Sequence, residues 1–237
     1  MARLELRAEG SPSDETYHER DSPRFRHEDL SDTEFVRHWS YGIPVVVSSL
    51  NFQGTWDPAY FIRTYGKKKA TIENCETGET KLSNVATFFQ QFLDPGQRDG
   101  IWKLKDWPPL HDFALIFPEL HKSFMQCVPY PNYTRSDGVL NLASHSPYNA
   151  ISPDLGPKMY NACETAPDDQ HQGSTKLHAD LTDAVNIMLW AAKDADGNPG
   201  CALWHIFPAT ALAFLRKFLT EVCGFKGPGD PVHSQLI

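Results

Sequence analysis

Between Gly138 and Phe207 the chain offers no apolar run long enough for a helix. Instead, short runs at 139–143 (VLNLA), 158–162 (KMYNA), 175–181 (TKLHADL), 184–190 (AVNIMLW) and 202–207 (ALWHIF) are cut apart by glycine and proline. Runs of this length between turn formers read as strands, and several in succession predict an antiparallel jelly roll or cupin-like barrel. That texture limits the second half of the chain to a β architecture before any single residue is considered.

Upstream the pattern is mixed. Residues 1–31 are polar, charge-mixed and without periodicity, the composition of a disordered arm. Ser31-Asp32-Thr33-Glu34 is a helix start, and Val45-Val46-Val47 reads as a buried strand. Asp57-Pro58 opens a helix that Gly66 closes. Residues 70–75 predict a strand turned by Glu76-Thr77-Gly78-Glu79. Ser83 is the expected cap of a helix bearing Val85, Phe88, Phe89, Phe92 and Leu93 on one face. Residues 103–107 alternate like a half-buried strand, and short helical patterns follow at 113–117 and 120–125. The last helix, 209–223, carries Leu212, Leu215, Phe218, Leu219 and Val222 on one stripe, with Gly224 as stop and a loop from 227 to 237. The expected organisation is α+β: an arm over 1–31, an N-terminal mixed α/β scaffold over 32–130, and a β barrel region over 131–237.

Charge and cysteines narrow the partners. The 22 basic and 30 acidic residues give −8 at pH 7. A protein held mainly by phosphate contacts needs a cationic face, so strong direct nucleic-acid binding is not expected, whereas an acidic surface suits a cationic partner. No stretch approaches the roughly 20 apolar residues of a membrane span, and the first thirty residues hold no apolar secretory core. The five cysteines, Cys75, Cys127, Cys163, Cys201 and Cys223, are far apart and odd in number, which fits a reducing compartment. Cys163 and Cys201 read as buried thiols, and Trp102, Trp107, Trp190 and Trp204 as core.

The sharpest local feature is Thr175-Lys176-Leu177-His178-Ala179-Asp180. On a strand, side chains two apart share a face, so His178 and Asp180 project together. An imidazole beside a carboxylate supplies two corners of the facial triad that holds non-haem Fe(II). Spacing alone equally fits a hydrogen-bonded His–Asp pair on a barrel wall.

Several blocks, in order, resemble the JmjC family, specifically its branch acting on lysine nine of histone H3. They are Leu104-Lys105-Asp106-Trp107-Pro108, residues 137–144 (DGVLNLAS), 153–162 (PDLGPKMYNA), 173–186 (GSTKLHADLTDAVN), 200–207 (GCALWHIF) and Asp230-Pro231-Val232-His233. The resemblance implies a double-stranded β-helix, Fe(II) and 2-oxoglutarate as cofactors, and hydroxylation of an N-methyl group on lysine with loss of formaldehyde. It also implies the histone H3 tail or another chromatin protein as partner, and a nuclear location. By the same resemblance His178 and Asp180 match the first two iron ligands, Thr175 and Asn186 match residues lining the cosubstrate pocket, and Lys158 and Lys176 are the cationic candidates for its carboxylate.

One departure matters. The family's third ligand is a histidine in a Gly-Asp-Ala-Val-x-x-Pro-Ala-Gly-x-x-His context, and this sequence contains none. The resemblance reaches His233 and implies a partial barrel, its first half, without the distal ligand. Two ligands hold Fe(II) loosely, so impaired or absent oxidation is expected, and an open half barrel predicts self-association through its edges. His205 and His233 are the local substitutes to weigh. The rival readings are a non-catalytic chromatin-binding or regulatory module, a fragment of a longer demethylase, and a protein hydroxylase with another substrate.

Overall fold

The computed structural model describes residues 21–107, 112–147, 149, 156–165, 173–180, 182–194 and 196–232. The chain divides into two compact units, 1–49 and 50–237.

In the first unit, strand β1 (Arg24–Arg26) pairs in parallel with β2 (Val46–Ser48), and helix α1 (Asp32–Ser40) lies between them in sequence. Ser31 caps α1 by accepting from the Glu34 amide, and Phe35 stacks on Trp39 one turn later at 5.8 Å. Strand β1 begins within the expected arm, of which residues 1–20 lie outside the described residues.

The second unit is built on a four-stranded sheet in the order β4-β3-β5-β6. Helix α2 (Pro58–Tyr65) starts where Asp57 accepts from the Tyr60 amide with proline at the first turn. Strand β3 (Lys69–Asn74) turns through Gly78, at φ +73°, into the antiparallel β4 (Thr80–Asn84). Asn84, not Ser83, caps α3 (Val85–Leu93): β4 stays extended through Asn84, so the first residue free to cap lies one position later than the sequence pattern suggested. Leu93, expected on the apolar face, is exposed at the frayed end. Strand β5 (Trp102–Trp107) pairs with β3 and with β6 (Met159–Ala162). Helices α4 (Phe113–Ile116), α5 (Pro118–Cys127) and α6 (Pro131–Thr134) connect them. Because β5 and β6 share one sheet, the expected division near residue 130 falls inside this unit.

Alternation decides which face of the sheet is dry. Ala70 and Ile72 of β3 and Trp102 and Leu104 of β5 point at Phe61 of α2, at Val85, Phe88 and Phe89 of α3, and at Phe117 and Leu120. From Leu104 to Trp107 the spacing is odd, so strict alternation would turn Trp107 away from the core. A bulge there, with Asp106 at φ +49°, returns Trp107 to it. The Phe61 and Phe89 rings stack at 5.3 Å, and Trp107 meets Phe117 at 4.9 Å, so aromatic contacts hold this core.

The opposite face of the same strands is polar. Glu73 accepts Lys103 at 3.0 Å and Lys105 at 2.7 Å. Burial opposes ionisation of Glu73, but hydrogen bonds from Lys105 and Lys103 outweigh it and hold the carboxyl below its usual 4.5.

The strand pattern of the later chain is only partly realised. Residues 159–162 form β6, but 139–143 fold as turns ending in a 3₁₀ turn at Leu142–His145. Among the described residues, 175–180, 184–190 and 202–207 enter no sheet. A tight turn joins the last two, with Asp194 N donating to Asn198 O at 3.1 Å and Gly197 at φ +84°. Gly200 lies so close to Ala192 O that an added Cβ would stand 2.0 Å away. Strands need a covered apolar face and paired edges. Here Val185, Met188, Leu203, Trp204, Ile206 and Phe207 are all exposed, so nothing compels a ladder. Trp190 and Trp204 are likewise exposed rather than core, although Trp190 meets Phe92 at 5.5 Å, and Cys201 is exposed where a buried thiol was expected. The closing helix α7 (Leu212–Glu221), preceded by a 3₁₀ turn at Ala209–Ala211, ends before Gly224 at φ +72°.

Two outcomes follow from this packing. Phe88→Ala, at a fully buried site, should cost about 3–5 kcal/mol, read from urea unfolding midpoints. Glu73→Gln should destabilise by about 1–2 kcal/mol at pH 7. Since the folded carboxyl titrates below its unfolded value, that contribution is present above the unfolded pKa and lost as pH falls through the folded one. The two proteins should therefore converge in stability as the pH falls below the usual glutamate range.

Candidate metal centre

The segment that carries His178 is held at both ends. Near its start, Lys103 Nζ donates to Ser174 O at 3.3 Å and Lys176 Nζ donates to Glu76 O at 3.2 Å, laying it over the polar sheet face. Cys75 is buried nearby, and that burial pushes its thiol up to about 11, which leaves it protonated and inert near neutrality.

Further along, Leu177 and Ala179 pack against Leu215 and Leu219 of α7 and against Val232. Val232 is 1% exposed, and its loop is clamped by a two-pronged ion pair from Arg216 to Asp230 at 2.7–3.0 Å. With Leu177 and Ala179 on the helix, alternation turns His178 and Asp180 to the other side together. Extended backbone thus achieves what the spacing predicted, although no ladder supports it.

His178 Nε2 lies 3.7 Å from Asp180 Oδ2, and both side chains are about half exposed. His178 Nδ1 is 2.8 Å from Lys176 O. A carbonyl only accepts, so Nδ1 donates a proton to it, and Nε2 is the ring nitrogen on the side of the carboxylate. An imidazole nitrogen and a carboxylate oxygen facing one point, with the second ring nitrogen oriented by a backbone carbonyl, form a donor pair suited to a divalent metal.

The pair stands alone among the described residues: no group of three His, Cys, Asp or Glu side chains is placed to hold an ion. His205 is exposed and does not join it, and His233 lies outside the described residues. The donors fit two corners of a three-ligand iron site and fall short of the whole.

The other expected site residues are dispersed. Thr175 and Asn186 are exposed, and no hydrogen bond joins either to His178 or Asp180. Lys158 Nζ lies 3.9 Å from Asp106, the carboxylate that also accepts from Tyr160 OH at 2.7 Å. Lys176 is turned to Glu76 O. Sequence reasoning did not find the α7 buttress. The stripe Leu212, Leu215, Leu219 showed that α7 would bury a face, but nothing in a one-dimensional pattern said against what.

Comparison with known proteins adds an independent line. No protein-family model matches the chain. Among curated proteins it is similar to Lysine-specific demethylase 3A of Homo sapiens, 35% identical over 246 residues that cover 85% of this chain and 18% of that protein. It is 36% identical over 250 residues to Lysine-specific demethylase 3 of Drosophila melanogaster, covering 85% of this chain and 29% of that protein. Probable JmjC domain-containing histone demethylation protein 2C of Mus musculus is 28% identical over 247 residues, covering 85% and 10% respectively. The chain therefore spans less than a third of the length of these homologues.

Removing the apolar anchor should separate positioning from chemistry. His178→Ala, at an exposed position, should change stability by less than about 0.5 kcal/mol. Leu219→Ala should cost about 2–5 kcal/mol and selectively raise amide hydrogen exchange across residues 176–180.

Proposed function

We propose that the chain is a JmjC-type segment of the histone H3 lysine-nine demethylase branch, with His178 and Asp180 as its metal-binding pair and its oxygenase activity impaired. The observation that carries the reading is the convergence of Nε2 and Oδ2, 3.7 Å apart, in a region homologous to named lysine demethylases.

In this reading Fe(II) and 2-oxoglutarate, when bound, would activate dioxygen, the oxidant for N-demethylation, while the protein supplies geometry. His178 offers Nε2 to the metal, Lys176 O holds the ring through Nδ1–H, and Asp180 adds a carboxylate on the same side. Leu177 and Ala179 keep that pair facing outward from α7. Thr175, Asn186 and Lys158 are the residues proposed to line the cosubstrate pocket. They would have to move toward the pair, since Lys158 now leans on Asp106.

Impairment rests on the donor count. A two-ligand site binds a divalent ion weakly and leaves its geometry undefined. The reading proposes a histone tail or another chromatin protein as the target and the nucleus as location. The acidic balance of −8 suits a cationic tail. No helix among the described residues is long and apolar enough to cross a membrane.

A formaldehyde-release assay with Fe(II), 2-oxoglutarate and a dimethyl-lysine-nine H3 peptide tests the proposal. The expected result is release no faster than from the His178→Ala variant. Sustained turnover abolished by His178→Ala would show that the pair is completed by a third donor and would overturn the claim of impairment. A mass gain of one oxygen on a different side chain, without demethylation, would favour a protein hydroxylase instead.

A further inference from the structure

A second charged feature lies away from the metal pair, at the junction of α2, β3 and α3. Between Asp57 and Glu73 the sequence holds Arg63, Lys67, Lys68 and Lys69 and no acidic residue, inside a chain of net charge −8. Among the described residues, none of these four makes an ion pair. By contrast Lys81, Arg98, Lys103, Lys105, Arg135 and Arg216 each hold a carboxylate.

Three of these cations, Arg63, Lys67 and Lys68, line a cleft of about 550 Å³ together with Tyr65 and Asn84, among others. Its floor is rigid. The Ala86 amide donates to Gly66 O at 3.1 Å and the Val85 amide donates to Lys68 O at 3.0 Å, pinning the lysine loop to the start of α3. Gly66 approaches so closely that an added Cβ would stand 2.3 Å from Ile62 O and 3.1 Å from the Ala86 methyl. Two cations also rest on aromatic faces, Arg63 over Tyr60 at 5.9 Å and Lys68 over Tyr65 at 5.6 Å, which limits where their charges can go.

A simple solvated face, or lysines placed to complement the end of α2, would account for one or two of these charges. Three cations without an ion pair among the described residues, gathered at one concave surface on a protein acidic elsewhere, repel one another, and an anion offsets that repulsion. We infer that this cleft binds the phosphate backbone of a nucleic-acid duplex. Arginine supplies a planar fork and the lysines supply point charges, the two donor types that grip phosphate oxygens. Successive phosphates on a strand lie about 3.4 Å apart along the axis, so a cleft of this size meets more than one. The acidic remainder of the chain keeps the contact local and sensitive to salt. Net charge averages over the surface and does not report such a patch.

Fluorescence anisotropy with a labelled DNA duplex of about 20 base pairs and the intact chain tests the inference. With three phosphates neutralised, affinity should fall roughly fortyfold between 50 and 200 mM salt. Lys67→Gln with Lys68→Gln should weaken binding at least about tenfold and reduce the salt slope by about two, with circular dichroism unchanged. Arg63→Gln provides a second variant of the same patch should the first fail to fold. Lys193→Gln with Lys226→Gln, which removes two cations outside the patch, should leave binding unchanged. No binding by the wild type at 50 mM salt overturns the inference. So does an equal loss from the outside pair, or tighter binding to phosphatidylserine vesicles than to the duplex.

Discussion

The candidate site depends on Leu177 and Ala179 being seated against α7. Their packing against Leu215, Leu219 and Val232 gives the segment a dry side and a wet side, and His178 and Asp180 take the wet side together. In a β-ladder the same division would come from hydrogen-bonded neighbours. Here it comes from a helix packed behind the segment, with the Arg216–Asp230 clamp fixing the loop that closes the cluster. Apolar burial of a few side chains thus orients two polar ones, and it does so without placing either in the core.

The aromatic core of the second unit and the metal pair are linked through one sheet. The face holding Ile72, Trp102 and Leu104 is buried beneath α2, α3 and α5. The other face, with Glu73, Lys103 and Lys105, is where the segment leading to His178 is tethered through Ser174 O. One strand alternation therefore serves both purposes, and the bulge at Asp106 preserves the core side where the period breaks. Beyond residue 184 this economy ends. Among the described residues most of the apolar side chains there are exposed, and the runs 184–190 and 202–207 enter no sheet.

Much of the first half was legible in the sequence because its signals are local. Ser31 and Asp57 cap helices at the expected places, Gly78 and Gly224 adopt the positive φ that their positions require, and β3, β5 and β6 fall where alternation put them. The Ser83 cap was off by one because a cap depends on where the preceding strand stops pairing, which a pattern does not state. The strands at 184–190 and 202–207 were predicted from residue type, but strand formation is a property of partners, and none covers Trp204 or Phe207. In the site, the i, i+2 spacing correctly brought His178 beside Asp180. Thr175, Asn186 and Lys158 depend on long-range approach, and local spacing could not place them.

The most direct test of the central claim is the long-range ¹H–¹⁵N spectrum of the histidine rings during titration with Zn(II). The expected result is that Nδ1 of His178 carries a proton donated to Lys176 O and that Zn(II) shifts its Nε2 first among the histidines, with the effect abolished by Asp180→Ala. A first response at another histidine, or coordination of His178 through Nδ1, would contradict it.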